Sequence, residues 1–514
     1  MQIKMKKVKI VTRRRGQTTE TWVDVPDTGV EGWGDVSSMK YVGQRHQRTD
    51  AVEKVTGQAK YTYDMKLPGM LYGKILRSAY PRARVTRIDA SKAMALPGVK
   101  VVILPDDEGA GDLFRRECRY AGQEVAAVAA TTPEIAEDAV YLIEVEYTEL
   151  PFVVHADSAM VSGAAQVQDD RPNAGEPRVN EQGDVNAGFA EADVKVEAEY
   201  KTEVHTHVSL ETHGSIAHWE DGKLTVWAST QAISSTQGGL SRFFDIPNSD
   251  VRVIKDHMGG GFGSKLGPRP EYAVAALLAR KAGVPVKLML SRKEEHTTTG
   301  NRPDSFQKME IGARSDGKIV AYKRNNFGTG GIAGRAGMPG APYLYEIPNF
   351  RVEQVDVYTH GGPQTALRAP GHPQAAFAME SVMDELAVAL DMDPVELRQM
   401  NDPDETRRKM VEVGAEKFGW SKRRKAPGPA TGIQRGVGMG AGVWGGGGGR
   451  TKAEGVIHPD GSVEIRCGTQ DVGVGTKTVI AQIAAEEFGL TLDDIIVKIG
   501  DTNYPPSGGS GGST

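Results

Sequence analysis

The sequence predicts an α+β protein of more than one domain, and chain length together with two kinds of pattern supports this class. The chain has 514 residues, which is enough to bury two or three separate cores. Alternating apolar residues flank an Asp-Gly turn three times, which predicts hairpins at 216–227, 309–323 and 453–466. Apolar residues at helical spacing predict helices at 374–390, 394–400 and 476–488.

Composition excludes several classes of protein. Charged residues make up 25% of the chain and the formal net charge is −5, so nothing indicates nucleic-acid binding. No apolar run is long enough to span a membrane, and no apolar signal region follows the basic N-terminus, so we expect a cytoplasmic chain. A periplasmic location would need an exported partner to carry it. The two cysteines, Cys118 and Cys467, are too few for an iron–sulfur cluster, which would therefore sit on another chain.

The first half of the chain divides into three predicted regions. Residues 1–40 are predicted to form an irregular, partly mobile arm, residues 41–154 a mixed α/β domain, and residues 155–190 a linker rich in Asp, Ala, Gly, Asn and Pro. Within the α/β domain we predict strands at 61–63, 71–76, 99–104 and 143–147, and helices at 88–94 and 133–141. Thr132 and Pro133 provide the cap and first residue of the second helix.

The second half is predicted to be one large domain in two parts. Residues 191–430 and 431–514 form these parts, and a segment around Pro427 to Arg435 marks the boundary between them. A further glycine motif, Gly436-Val437-Gly438-Met439-Gly440, is spelled like part of a dinucleotide-binding loop. No apolar strand precedes it and more glycines follow instead of a helix, so a nicotinamide site is rejected.

The most informative stretch is the glycine loop Gly259-Gly260-Gly261-Phe262-Gly263. Apolar residues before it predict a strand, and an Ala- and Leu-rich run at 271–281 predicts a helix soon after it. Glycines allow the backbone to turn several N–H groups toward one point, which suits a phosphate or a metal oxo group. The alternative is a tight turn that packs closely on a neighbouring segment.

Three further stretches accompany the glycine loop and Ser229-Thr230-Gln231. They are Ala366–Gln374, Cys467–Thr476, and Gly500–Thr502 followed by Gly509–Ser513. In this order the motifs resemble those of the molybdenum-binding subunit of the xanthine dehydrogenase and aldehyde oxidase family. The resemblance runs from about residue 40 to residue 514, and the segment 42–64 resembles the start of the hammerhead domain of that family. It implies a hammerhead-like α/β domain followed by a two-part molybdopterin-binding α+β domain whose second part is incomplete.

The resemblance also implies a cofactor and a set of contacts. The cofactor is a molybdopterin, in bacteria usually the cytosine dinucleotide form, and its pterin rather than a protein side chain holds the molybdenum. The residues implied to bind it are Gln231, Gly261, Phe262, Gly263, Arg368, Thr469, Gln470, Gly473, Gly475, Ser510 and Ser513. Pro370 and His372 are implied to line the substrate site.

Three histidines that are close together in the sequence, His205, His207 and His213, leave a zinc site as an alternative.

The sequence departs from the family pattern at functional positions. Pro370 and Leu266 stand where xanthine-oxidising members carry an aromatic residue and a substrate-binding glutamate, so a purine substrate is not expected. Val474 replaces a residue that is often glutamine. No glutamate matches the general base of the family, so we expect a missing segment or a second molybdenum-subunit polypeptide to supply it.

These observations favour a molybdenum-cofactor-binding subunit of a multi-subunit hydroxylase or dehydrogenase. Its small-molecule substrate would be an aldehyde or an N-heteroaromatic compound, and water would supply the oxygen. A 2Fe–2S small subunit and an FAD subunit would carry the electrons away. The alternatives are a non-catalytic assembly or cofactor-maturation protein of the same fold, one half of a split nicotinate-dehydrogenase-like molybdenum subunit, and a flavin or nicotinamide oxidoreductase.

Overall fold

The structure is a computed structural model that describes residues 5–14, 17–26, 36–423, 432–433, 435–446 and 451–512. The first described segments form an antiparallel hairpin of strands β1 (Met5–Arg14) and β2 (Gln17–Pro26), which pair over ten residues each. The prediction of an irregular arm over residues 1–40 is therefore wrong for these two segments. A sequence that alternates polar and apolar residues pairs here as a two-stranded ribbon.

The predicted α/β domain contains three helices and six strands. In chain order they are α1 (Ala51–Val55), β3 (Leu71–Arg77), β4 (Ala83–Asp89), α2 (Ser91–Ala95), β5 (Val99–Ile103), β6 (Glu117–Cys118), β7 (Glu124–Ala130), α3 (Pro133–Tyr141) and β8 (Glu144–Glu149). The Thr132 hydroxyl accepts the Ile135 N–H at 3.2 Å, which confirms the predicted cap.

Two predictions in this domain are wrong. Residues 88–94 are not one helix, because Ile88 and Asp89 end strand β4 and the helix α2 begins only at Ser91. Strand β4 pairs with β8, about 60 residues further along the chain. Residues 61–63 form a turn with a single bridge from Tyr61 to His257 instead of a strand.

The next segment leads into the larger domain. Its elements are α4 (Ala156–Ala159), β9 (Arg178–Gln182), α5 (Val185–Ala190), β10 (Val194–Thr202), β11 (Gly214–Glu220), β12 (Lys223–Ala228), α6 (Ile233–Phe244), β13 (Val251–Ile254), α7 (Pro270–Ala282), β14 (Val286–Met289) and α8 (Arg292–Thr298). The predicted linker 155–190 is more structured than expected, since β9 pairs with a strand of the large domain.

The remaining elements confirm the other predicted hairpins and helices. They are β15 (Ser305–Ala313), β16 (Ile319–Thr329), β17 (Asn349–Val357), α9 (His372–Ala389), α10 (Pro394–Asn401), α11 (Glu405–Phe418), β18 (Ala453–Ile457), β19 (Val463–Cys467), α12 (Thr476–Phe488) and β20 (Ile495–Ile499). None of the helices in the described ranges is both long enough and apolar enough to cross a membrane.

A seven-stranded sheet of order β13-β12-β11-β14-β3-β7-β5 joins the two predicted domains. Strand β14 of the large domain pairs in parallel with β3 of the α/β domain. Helix α7 packs against this sheet, and its side chains from Tyr272 to Ala279 are buried in the core. Backbone hydrogen bonds of one sheet therefore join the two predicted domains. The limits of these domains stay a prediction.

Three smaller sheets complete the described architecture. Strands β10-β15-β16-β17-β9 form a five-stranded sheet that is covered by α9, and Met379 and Met383 of that helix are fully buried in the core between them. Strands β18-β19-β20 form a sheet covered by α12, and β6-β4-β8 form the third.

Two pairs of parallel strands bring the predicted loops together. Strand β12 runs parallel to β13, and β19 runs parallel to β20. The carboxyl ends of parallel neighbours lie at one edge of a sheet, and loops that follow them meet there. The Lys255 N–H donates to the Gly500 carbonyl at 2.7 Å and the Thr502 N–H to the Val253 carbonyl at 3.1 Å, so the two edges are joined.

Candidate functional site

Gln231 lies at the point where three of the predicted loops meet. The Gly263 N–H donates to Gln231 Oε1 at 2.8 Å, and Gln231 Nε2 donates to the Ser510 carbonyl at 2.9 Å. The Ser510 N–H returns a bond to the Gln231 carbonyl at 2.8 Å, and the Ser510 hydroxyl donates to the Gln470 carbonyl at 2.7 Å. One amide side chain thus connects loops that are up to 279 residues apart.

The predicted stretch Ala366–Gln374, here called the arginine loop, closes on the glycine loop from the other side. The Arg368 N–H donates to the Phe262 carbonyl at 2.8 Å. The buried Arg302 donates through its guanidinium to the Arg368 carbonyl at 2.8 Å and holds this segment in place. The Arg368 side chain is exposed and has no hydrogen-bond or ion-pair partner within the described ranges. A free guanidinium beside a glycine loop suits a ligand with several acceptor atoms.

The backbone of the glycine loop requires residues without a Cβ. Gly263 has φ +114°, and a Cβ on it would lie 2.2 Å from the Ala366 carbonyl oxygen. A Cβ on Gly261 would lie 2.5 Å from Gln231 Oε1. Phe262 between them also has a positive φ of +53°, which is uncommon for a bulky residue, and its ring is 46% exposed. The loop therefore turns tightly and packs closely on its neighbours, as the second interpretation expected, and its binding of an anion stays a prediction.

A buried ion pair that the sequence analysis missed supports the glycine loop from beneath. Glu211 Oε2 accepts the Gly259 N–H at 2.8 Å and the Ser229 hydroxyl at 2.7 Å. Lys265 Nζ donates to the Glu211 carbonyl at 2.8 Å and lies 3.9 Å from Glu211 Oε2. Burial lowers the pKa of Lys265 to about 8, and the Glu211 carboxylate opposes this effect. Neither residue stands in a distinctive sequence pattern, and the nearest signal for the pair is the position of Lys265 two residues after the glycine loop.

In the stretch Cys467–Thr476, here called the second cofactor loop, two backbone N–H groups bond within the loop itself. The Gly473 N–H donates to Asp471 Oδ1 at 2.7 Å and the Gly475 N–H at 3.3 Å. These two N–H groups are thus already engaged within the loop. The Thr469 hydroxyl has no partner among the described residues.

Gln470 presents a buried acceptor without a donor. Its side chain is 1% exposed, and Nε2 donates to the Gly468 carbonyl at 2.9 Å. Its Oε1 has no partner in the part of the chain that the structure describes. Ser513, also predicted to bind the cofactor, lies outside the described residues.

The two predicted substrate-lining residues differ in their surroundings. Pro370 is exposed within the arginine loop. His372 packs edge-on against Tyr343 and Trp444, with ring centroids at 5.5 and 5.0 Å. A Cβ on Gly512 would lie 4.0 Å from the Trp444 ring. This aromatic group therefore lies next to the third loop, the predicted stretch formed by Gly500–Thr502 and Gly509–Ser513. Trp444 was not predicted.

The neighbouring histidines do not form a metal site. His207 Nε2 lies 2.7 Å from the Ala366 carbonyl oxygen, and His213 Nδ1 lies 2.7 Å from Glu295 Oε1. Within the described ranges the only group with metal-ligand spacing is Asp50, Glu53 and His257, and Asp50 is already paired with Arg48 and Lys54. The zinc alternative therefore has no support in the geometry.

A pH-dependent stability is expected from Lys255, which is 2% exposed and donates to the Asp471 carbonyl. Burial lowers the pKa of Lys255 to about 8 from 10.5. Between about pH 8 and pH 10.5, Lys255 is protonated in the unfolded chain and deprotonated in the folded chain. The free energy of unfolding therefore rises with pH over this interval, by on the order of 3 kcal/mol. Urea titrations at pH 7 and pH 10 should show this rise relative to Lys255→Met.

The matched control is the exposed Lys498. A Lys498→Met variant should keep the rise that Lys255→Met loses. A constant difference between wild type and Lys255→Met over this pH range would contradict the prediction.

Three family models cover most of the chain. The model for the aldehyde oxidase and xanthine dehydrogenase a/b hammerhead domain matches residues 56–151. Models for molybdopterin cofactor-binding domains match residues 167–402 and 413–514. The fold and the converging loops are thus those of a molybdopterin cofactor-binding protein.

Individual relatives agree with these models. The aldehyde oxidoreductase molybdenum-binding subunit PaoC of Escherichia coli K12 is 33% identical over 518 residues, covering 94% of this chain and 68% of that protein. The nicotinate dehydrogenase large molybdopterin subunit of Eubacterium barkeri is 34% identical over 381 residues, covering 70% and 89%. The aldehyde oxidoreductase structure from Desulfovibrio gigas has a TM-score of 0.81 at 26% identity, covering 91% and 57%. The chain belongs to the aldehyde oxidase and xanthine dehydrogenase family.

Proposed function

We propose that the chain is the molybdenum-cofactor-binding subunit of a multi-subunit hydroxylase. The observation that carries this proposal is the convergence of four loops. Three meet at Gln231, and the fourth, which carries the free guanidinium of Arg368, bonds to the close-packed glycine loop. Membership of the family supports the same function, as does the similarity to a molybdenum-binding subunit and a large molybdopterin subunit.

The residues present fit a molybdopterin. Its pterin and phosphates offer many donors and acceptors, and the loops present matching groups that protein atoms leave free. The Arg368 guanidinium and the Thr469 hydroxyl have no partners among the described residues, and the buried Gln470 Oε1 lacks a donor. A buried polar atom without a partner costs free energy, so a ligand that supplies a donor is favoured at this point.

We assign the following roles to the chain. Arg368 and the backbone N–H groups of Gly261 and Phe262 bind the anionic and oxo groups, and Gln231 orients the glycine loop by accepting the Gly263 N–H at its Oε1. Thr469, Gln470 and Ser510 contact the pterin. When bound, the cofactor supplies two-electron oxidation of carbon with oxygen from water. We assign no general base to a residue of this chain.

The finer features of the complex are also proposed. The cofactor is the cytosine dinucleotide form, and the electrons pass to a 2Fe–2S subunit and an FAD subunit in the cytoplasm. Cys118 and Cys467 are both free and buried, so neither is offered as a cluster ligand.

The proposed substrate is an aldehyde or an N-heteroaromatic compound. The side chain at position 266 is an apolar Leu that lies against the third loop, since a Cβ on Gly511 would be 3.3 Å from it. A carboxylate that could bind a purine is thus absent at this described position. The similarity to a nicotinate dehydrogenase subunit is the reason for proposing a heteroaromatic substrate as well as an aldehyde.

The test is the metal and nucleotide content of the purified protein. We expect about one molybdenum per chain and release of a cytosine nucleotide by acid. Arg368→Met should lower both by about tenfold, because a charge-assisted contact to the ligand is lost. Exposed Arg115→Met, on the α/β domain, is the control and should keep the wild-type content. A protein without molybdenum that still binds partner subunits would favour the assembly-protein alternative.

A further inference from the structure

The segment of residues 40–50 packs against the far end of the chain. Glu486 of α12, which lies 445 residues after Tyr41, accepts the Tyr41 N–H at 2.7 Å. The Tyr41 side chain is buried in the core that α12 covers. Nearer the other end of the segment, the Thr49 N–H donates to Thr478 Oγ1 at 3.0 Å. The segment precedes the residues that the hammerhead model matches, and it joins the start of the chain to the second molybdopterin-binding part.

Arg48 connects this segment to the second cofactor loop. Its Nη1 donates to the Gly473 carbonyl at 2.8 Å. Its Nη2 lies 3.9 Å from Asp471, the residue that accepts the Gly473 and Gly475 N–H groups. Arg48 Nε and Nη2 also donate to the buried Asp50 carboxylate at 2.9 and 3.0 Å. A bidentate pair of this kind fixes the plane of the guanidinium, so the Gly473 carbonyl is held by a rigid donor.

The bond from Arg48 sets the orientation of the peptide group between Gly473 and Val474. A trans peptide group is planar, and its C=O and N–H point in opposite directions. Because Arg48 holds the carbonyl, the Val474 N–H points away from the guanidinium, and it has no acceptor among the described residues. Val474 is 77% exposed, so this peptide group lies where a ligand can approach it.

This peptide group would turn easily without Arg48. Gly473 has φ +107° and Gly475 has φ +100°, and a Cβ on Gly473 would meet no atom within 4 Å. Glycine adopts many backbone conformations at little cost, and no neighbouring side chain blocks the rotation. Asp471 holds the peptide groups before and after it through the Gly473 and Gly475 N–H groups. Within the described ranges, the group between them is held by Arg48 alone.

We propose that Arg48 is a positioning residue for cofactor binding. It acts through the second cofactor loop and not by its own contact with the ligand. Its bond to the Gly473 carbonyl keeps the Val474 N–H available to an acceptor atom of the cofactor. The inference rests on the proposed function, because the loop is assigned to a molybdopterin only there.

Molybdenum content and hydrogen exchange of purified Arg48→Met test the proposal. We expect about tenfold less molybdenum per chain than in the wild type, because the charge-assisted bond that orients the loop is lost. In chains produced without cofactor, mass spectrometry should show about tenfold faster exchange for residues 471–477, because the Gly473 and Gly475 N–H groups are then held less firmly. Arg48→Lys retains one donor for the Gly473 carbonyl and should restore part of both losses.

Arg45→Met is the matched control, because Arg45 is an exposed arginine of the same segment. It should keep the wild-type molybdenum content and exchange rate. If Arg48→Met does not fold, Arg48→Lys provides the comparison, with intermediate values expected.

Two results would overturn the role of Arg48 and leave the proposed function intact. One is equal molybdenum content in the wild type and both Arg48 variants, and the other is equal exchange of residues 471–477 in the cofactor-free chains. A wild-type protein without molybdenum would instead overturn the proposed function, and the role of Arg48 in cofactor binding with it.

Discussion

Replacing Gly263 by alanine is expected to lower molybdenum content and activity by about 10²-fold or more, because small displacements of a binding loop have effects of this size. The new Cβ would lie 2.2 Å from the Ala366 carbonyl oxygen and 2.7 Å from its carbon. Both are backbone atoms, so no side chain can rotate out of the way. The glycine loop and the arginine loop must separate, and the Gly263 bond to Gln231 is lost with them.

Gly267 provides a matched control in the same segment. It also has a positive φ, +93°, but a Cβ on it would meet no atom within 4 Å. Gly267→Ala therefore carries only the backbone strain, about 1–2 kcal/mol, without a clash between loops. Metal analysis and turnover of both variants separate the two effects. Equal metal content in Gly263→Ala and Gly267→Ala would refute the close contact between the loops.

Lys265→Met is expected to destabilise the folded chain by about 3–5 kcal/mol, the usual cost of leaving a buried charge without its partner. Lys265 is fully buried and Glu211 is 7% exposed, so water cannot replace the ammonium group. Glu211 would keep its bonds to Gly259 and Ser229 but would hold an uncompensated charge. Urea unfolding of the variant measures the difference.

Two further variants define this effect. Adding Glu211→Gln to Lys265→Met removes both charges and should restore part of the stability, because the double variant leaves no unpaired ion. The exposed pair Lys409 and Glu412 is the control, and Lys409→Met should change stability by less than about 1 kcal/mol. If Lys265→Met were as stable as Lys409→Met, the buried pair would not support the loop energetically.

Local sequence patterns predicted correctly those elements whose hydrogen bonds join residues close together in the sequence. The Asp-Gly turns predicted all three hairpins, and the periodic apolar residues predicted the helices α9, α10 and α12. The cap at Thr132 fixed the start of α3. In each case the bonds that define the element join residues only a few positions apart.

Sequence signals failed where partners are distant. Residues 88–94 lack a clear period, and pairing of β4 with β8 rather than local propensity makes Ile88 part of a strand. Strand β9 lies in a polar, proline-containing segment that does not itself predict a strand. It is a strand because its backbone pairs with β17. Composition alone does not contain that information.

The candidate site also contains parts that the sequence predicted and parts that it did not. The loops were recognisable by their glycines, and the parallel pairs β12–β13 and β19–β20 explain why they meet. The support beneath them was not recognisable, since Glu211 and Lys265 are 54 residues apart and neither stands in a distinctive pattern. The roles of the cofactor-binding residues stay predictions until metal analysis of the variants is done.

The bond from Gln231 to Ser510 has a consequence for biosynthesis. Its two ends are separated by 279 residues, so a ribosome adding 5–20 residues per second delivers Ser510 roughly 15–55 s after Gln231. During that interval the nascent polypeptide holds an amide side chain whose partner has not yet been translated. The cleft around Gln231 is therefore complete only after residue 510 has been translated, so a prosthetic group that needs all of its loops would bind late in synthesis.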